Sequence, residues 1–149
     1  MNKIILESKS GDYNFEVKDE NGHLLNTDTS TETGGSNSGF RPMQLLLAAL
    51  GSCSAIDTIS ILRKQKQSIN HFSIRVEGER EGDLIPSLWK SITVYFDLEG
   101  NIDTDKARRA CDLSMLKYCS VAETLRRSGT SLHWHVSIRR SYPGEPEQN

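Results

Sequence analysis

The sequence lacks most of the motifs that announce a chemistry. It holds no C-x-x-C, no cysteine–histidine spacing of the zinc-site kind and no glycine-rich phosphate loop, so neither a metal nor a nucleotide-type cofactor is expected. It has no excess of either charge: the formal net charge is -2, with 26% charged residues. Neither a nucleic-acid footprint nor a polybasic membrane surface follows from such a balance, and no nucleic acid or membrane partner is expected. The N-terminal stretch has an apolar run of only three residues, Ile4 to Leu6, too short for the core of an export signal. Together with three cysteines, this favours a reducing cytoplasm, where thiols are more often reactive than structural. There is no internal repeat and no linker. Residues 1–140 are therefore expected to form a single domain, long enough to bury roughly 70% of its unfolded surface, followed by a frayed tail over 141–149.

What stands out is the apolar run "LLLAALGSCSAIDTISIL", Leu45 to Leu62. It is long enough to span a bilayer, but it carries Gly51, Ser52, Ser54, Asp57, Thr58 and Ser60. An aspartate at the centre of a span costs roughly 2.5–3.5 kcal/mol. A core helix of a soluble protein is the better account.

Around this run the chain alternates between extended and helical patterns. Residues 2–28 form three extended runs, with Asn21-Gly22 marking a hairpin between the second and third. "STETGGSNSGFRP" is a loop ending at Pro42, a residue suited to a first helical turn because its missing N–H would be unpaired there anyway. A helix is predicted from Pro42 to about Gln67, its basic end matching the negative end of the helix dipole. Two strands follow, alternating through Phe72, Ile74 and Val76 and through Leu88, Ile92, Val94 and Phe96. A second helix is predicted from Asp103 or Thr104 to Ser128-Gly129, then a final strand, "SLHWHVSIRR". The order β-β-β-α-β-β-α-β indicates an α+β fold, with two apolar helices covered by antiparallel strands.

A free thiol is by default a small buried hydrophobe, and each cysteine is weighed against that. Cys111 and Cys119 lie eight apart on the second predicted helix, about 12 Å apart along its axis. They cannot pair while that helix is intact. A native pair would join Cys53 to Cys119 or to Cys111. Cys53 follows Gly51-Ser52, where a bare backbone admits close approach. Cys119 sits in "KYCSV" with Glu123 one turn on, outside a purely apolar stripe. Asp57 is one turn from Cys53 on the same face. A lone carboxylate disfavours a neighbouring thiolate, so a reactive Cys53 would need a compensating cation. His133 and His135 share one face of the last strand, an arrangement expected of ordinary surface packing.

"GFRPMQLLLAALGSCSAIDTISIL", followed some 60 residues later by "DLSMLKYCSVAETL", resembles the OsmC/Ohr family of osmotically inducible and organic-hydroperoxide-resistance proteins, closest to its OsmC-like branch. The resemblance covers roughly residues 12–138. It implies an intertwined homodimer in which sheets from both chains wrap the central helices and the sites lie at the subunit interface. It also implies a metal-free, thiol-dependent reduction of organic hydroperoxides, with an external dithiol as reductant. By position, Cys53 matches the peroxidatic cysteine and Cys119 the resolving one, which implies a Cys53–Cys119 disulfide; Cys111 matches no functional position. The best-known peroxidases of the family carry a Glu directly after the helix-opening Pro, paired with an Arg. Here Met43 and Gln44 follow Pro42, and the first 40 residues contain no Arg. Arg41 is then the nearest candidate cation and Gln44 the candidate polar group, both approaching Cys53 only across a dimer. The same resemblance leaves open a non-enzymatic dimer that binds an apolar small molecule or electrophile.

Overall fold

The computed structural model describes residues 1–141, so nearly all of the expected frayed tail lies outside them. The described residues fall into two compact units, residues 1–46 and the portion from 47 onward.

In the first unit, three antiparallel strands form a meander: β1 (Ile4–Ser10), β2 (Asn14–Asp19) and β3 (Leu24–Thr27). The β2–β3 turn is built as its sequence indicates. Gly22 takes φ +88°, and Asp19 accepts the backbone N–H groups of Asn21 and His23 at 2.9 and 2.8 Å. The Ser/Thr/Gly loop is ordered around Asp28. Its carboxylate accepts from the backbone N–H groups of Thr29, Ser36 and Ser38 and from the Ser38 hydroxyl, at 2.7–3.1 Å. A side chain at Gly35 or Gly39 would collide with the Thr29 or Asn26 carbonyl, which fixes glycine at both.

Helix α1 (Pro42–Lys64) opens as predicted at Pro42. Its end is set by Lys66, which adopts a left-handed conformation (φ +57°), and by the Gln67 N–H, which returns to the Leu62 carbonyl at 3.0 Å. By length and composition this helix could cross a membrane.

The second unit's sheet is β4 (Ser68–Arg80), β5 (Trp89–Asn101) and β6 (Ser131–Arg139), with β5 central. The buried apolar side chains of the described residues all fall between Leu50 and Leu125, and the largest fully buried one is Phe96. Gly51 brings α1 against β4: a Cβ there would meet Val76 at 3.1 Å.

Three details differ from expectation. First, β4 and β5 are antiparallel, but β6 runs parallel to β5. The segment joining them is a helical crossover rather than a hairpin, and crossovers return the chain in the same direction. Second, the inward phase of β5 begins at Trp89, with Leu88 exposed. A register shift opposite Glu79–Arg80 resets the alternation before Ile92. Third, the second predicted helix is broken. It consists of α2 (Thr104–Leu113), a π-helical turn (Ser114–Tyr118) and α3 (Ser120–Arg127), with Cys119 extended at the junction. Asp103 caps α2, accepting the Lys106 N–H at 2.9 Å, so the helix starts at Thr104, one of the two predicted starts.

Candidate functional site

The break between α2 and α3 decides where Cys119 points. The π turn spends one extra residue per turn, and the Cys119 N–H closes it on the Ser114 carbonyl at 2.9 Å. Cys119 then caps α3 with its own sulfur, which accepts the Ala122 N–H at 3.3 Å. The side chain is thereby turned onto α1, where Cys53 and Asp57 occupy one helix face. The Cys53 Sγ, the Cys119 Sγ and an Asp57 carboxylate oxygen all lie within 4.8 Å of one another. All three cysteines carry free thiols.

Two serines complete this cluster. Ser54, fully buried, lies 3.3 Å through its hydroxyl from the Met115 sulfur and 3.6 Å from the Cys119 sulfur. The Ser114 hydroxyl lies 3.2 Å from the Ser54 carbonyl and 3.4 Å from the Asp57 carboxylate. Its one proton can serve only one of these acceptors at a time.

The two buried thiols are held differently. Burial pushes the Cys111 thiol up to about 12, partly offset by the Thr58 hydroxyl, so Cys111 is an inert core group. Burial also raises the Cys119 thiol, and the nearby Cys53 sulfur adds to the rise. The Ala122 N–H and the Ser54 hydroxyl act against it by stabilising the thiolate.

The other sequence-derived candidates lie in different settings. Gln44 is a helix-capping residue whose side-chain oxygen accepts the Arg41 N–H at 3.0 Å. The Arg41 guanidinium donates to the Gly39 carbonyl at 3.3 Å. Both line a concavity of about 670 Å³ in the first unit, with Leu24 and Phe40. Glu123 is engaged by Arg127 at 2.8 Å and Arg126 at 2.7 Å, and these cations hold its carboxyl below the usual range. Arg126 also donates to the Met115 carbonyl at 2.7 Å, bracing the π turn from α3. His135 stacks on Tyr95 at 5.3 Å on the outer sheet face, the packing role expected for it.

Ser54, Ser114 and Arg126 were not singled out from sequence. The only available signal was that Ser54 and Ser114 each adjoin an apolar helical run in which a hydroxyl must find a partner. As a donor set, two sulfurs and one carboxylate with no histidine fall one ligand short of a closed structural zinc site. The cluster suits thiol chemistry: a half-buried sulfur, a second within reach, and a carboxylate beside both.

A further concavity lies between α1 and β4, about 500 Å³ and lined by Leu47, Ala48, Gly51, Ala55, Phe72 and Val76 among others.

Residues 35–135 match the family model described as OsmC-like protein. The chain is 40% identical over 110 residues to Protein YhfA of Escherichia coli K12, covering 71% of this chain and 76% of that protein. Among solved structures it is similar to a hypothetical protein from Aquifex aeolicus VF5, at TM-score 0.82 and 27% identity, covering 95% of this chain and 98% of the other. It shares its fold with an organic hydroperoxide resistance protein OsmC from Legionella pneumophila, at TM-score 0.72 and 17% identity, covering 93% and 97%.

Proposed function

The chain belongs to the OsmC family, and on that premise we propose that it is a cysteine-based, thiol-dependent peroxidase that reduces organic hydroperoxides to alcohols. The observation that carries this reading is the convergence of Cys53 and Cys119 from two helices, with sulfurs within 4.8 Å of each other. Cys53 is the more accessible of the two. Its thiolate attacks the distal peroxide oxygen, the O–O bond breaks, the alcohol leaves, and Cys53 becomes a sulfenic acid. Cys119 then condenses with it to a disulfide, water departs, and an external dithiol restores both thiols by exchange. In this reading the molecule is a cytoplasmic homodimer. Arg41 from the second subunit supplies the compensating cation for Cys53. Supporting the dimer, α1 leaves Ile56 65% exposed, and the first unit's sheet exposes Ile4, Leu6 and Leu24.

The test is direct. Reduced protein is mixed with cumene or tert-butyl hydroperoxide, and free thiols and residual peroxide are followed together. The expected result is loss of two thiols per peroxide consumed. A Cys53→Ser variant that consumes peroxide as fast as wild type overturns the proposal.

A second reading rests on the apolar groove between α1 and β4: a non-enzymatic dimer that holds an apolar small molecule. It predicts binding of a fatty-acyl ligand with both thiols left reduced by peroxide.

A further inference from the structure

Closing a disulfide requires somewhere for a proton to go. When Cys53 is a sulfenic acid, Cys119 must lose its thiol proton to attack, and the departing hydroxide must gain one. Cys119 is badly placed to do this alone. It is only 3% exposed, so bulk water does not reach it freely, and burial favours its protonated form.

Asp57 is the group positioned for the transfer. Its carboxylate lies within 4.8 Å of both sulfurs, close enough for a small side-chain rotation or one bridging water to complete the path. Cys53 faces the carboxylate from its own helix, Ser114 from the π turn, and Cys119 from the start of α3. Among the described residues, no Lys, Arg or His forms an ion pair with it. Arg126 of α3 is committed to Glu123 and to the Met115 carbonyl. A further charged group is the Arg41 that the peroxidase reading brings to Cys53 from the second subunit, and an arginine on one carboxylate oxygen leaves the other free to accept from the Cys119 thiol. Ser114 accommodates the transfer, because its hydroxyl can turn from Asp57 to the Ser54 carbonyl at 3.2 Å.

We propose that Asp57 is the proton carrier for disulfide closure: its carboxylate takes the Cys119 thiol proton as that sulfur attacks Cys53, and passes it to the departing hydroxide. The step balances without an outside reagent. A Cys119–Cys53 S–S bond forms and the Cys53 S–O bond breaks. The sulfenic sulfur is reduced and the thiol sulfur oxidised to the same disulfide level, and the product is water. The hydroxide half of this step rests on the peroxidase reading; the deprotonation of Cys119 does not.

The experiment therefore isolates the deprotonation. Reduced protein is treated with one equivalent of 5,5′-dithiobis(2-nitrobenzoate), which caps Cys53 as a mixed disulfide. Cys119 then attacks and releases a second thionitrobenzoate, a leaving group that needs no proton. Wild type should release it at a rate nearly level between pH 6 and 8. Asp57→Asn should be at least tenfold slower at pH 7, its rate rising about tenfold per pH unit with the Cys119 thiolate fraction, and Asp57→Glu should recover to within about threefold of wild type. An Asn variant within twofold of wild type and sharing its pH profile overturns the proposal. So does a wild-type rate that itself climbs tenfold per unit, which decides the matter even if the variant fails to fold. Failure of the peroxidase reading appears elsewhere, as absence of dimedone labelling at Cys53 in a Cys119→Ser variant, where no disulfide can consume the sulfenic acid, after exposure to cumene hydroperoxide.

Discussion

The Ser54 hydroxyl stands 3.6 Å from the Cys119 sulfur, offered by the α1 residue adjacent to Cys53. One helix thus presents both Cys53, the proposed attacking thiol, and a donor to the Cys119 sulfur proposed to resolve it. That donor helps the buried Cys119 to ionise. Ser54→Ala should therefore slow closure of the Cys53 mixed disulfide about fivefold near pH 7. This corresponds to the roughly 1 kcal/mol typical of one hydrogen bond. Stopped-flow release of the second thionitrobenzoate measures it. Unchanged closure would mean that the hydroxyl proton serves Met115 instead.

The three thiols should separate sharply under alkylation of the native protein. A thiol held up at about 12, against an ordinary value of 9.0, has roughly a thousandfold less thiolate at neutral pH. Cys53 should label first, Cys119 later, and Cys111 only on unfolding. Peptide mass mapping over a time course with iodoacetamide gives the order. Native labelling of Cys111 at a rate comparable to Cys53 contradicts the core placement.

Asp28 gives the loop an acid-sensitive anchor. Hydrogen bonds from the Ser38 backbone and hydroxyl, then from Thr29 and Ser36, lower its carboxyl from 3.8 to about 2. The folded-state value lies below the unfolded one, so this contribution is fully present above about pH 4 and is lost as pH falls toward 2. Asp28→Asn should flatten the acid limb of the stability profile in that window. Hydrogen exchange of the Ser36 and Ser38 amides, run on both proteins, should show protection falling with pH in wild type and already lost in the variant.

Exposed Ile56 offers a test of assembly separate from chemistry. If α1 packs against a second copy, Ile56→Glu places a charge in that interface. Light scattering at micromolar concentration should then change from a dimer mass to a monomer mass, with the circular dichroism of the fold retained. A wild-type monomer would overturn the assembly proposal outright.

Much of the fold was legible because short-range rules sufficed. The alternation of Phe72, Ile74 and Val76, the turn at Asn21-Gly22 and the helix start at Pro42 each reflect residues within a few positions of one another. What escaped depended on distant partners. Nothing local to "SLHWHVSIR" states whether it pairs with β5 parallel or antiparallel, since both patterns put Leu132, Trp134 and Val136 on one half-buried face alike. Trp89 reads as out of phase until the register shift against β4 is known. The break at Cys119 carries no proline or glycine; it is stabilised by a sulfur accepting its own helix's N–H. The candidate site was partly legible in the same sense. Cys53 and Asp57 share a face by helical spacing alone, but their convergence with Ser54, Ser114 and Cys119 depends on how two helices pack.

The π turn also makes the site sensitive to chain length. The bond from the Cys119 N–H to the Ser114 carbonyl places five residues where an α turn holds four. Deleting one of residues 115–118 would leave Cys119 over Ser114 in an ordinary α turn, whereas adding one would turn Cys119 about 100° away. The seven residues between Cys111 and Cys119 thus act as a ruler. A single insertion there would leave every side chain of the cluster in the protein and part the two sulfurs.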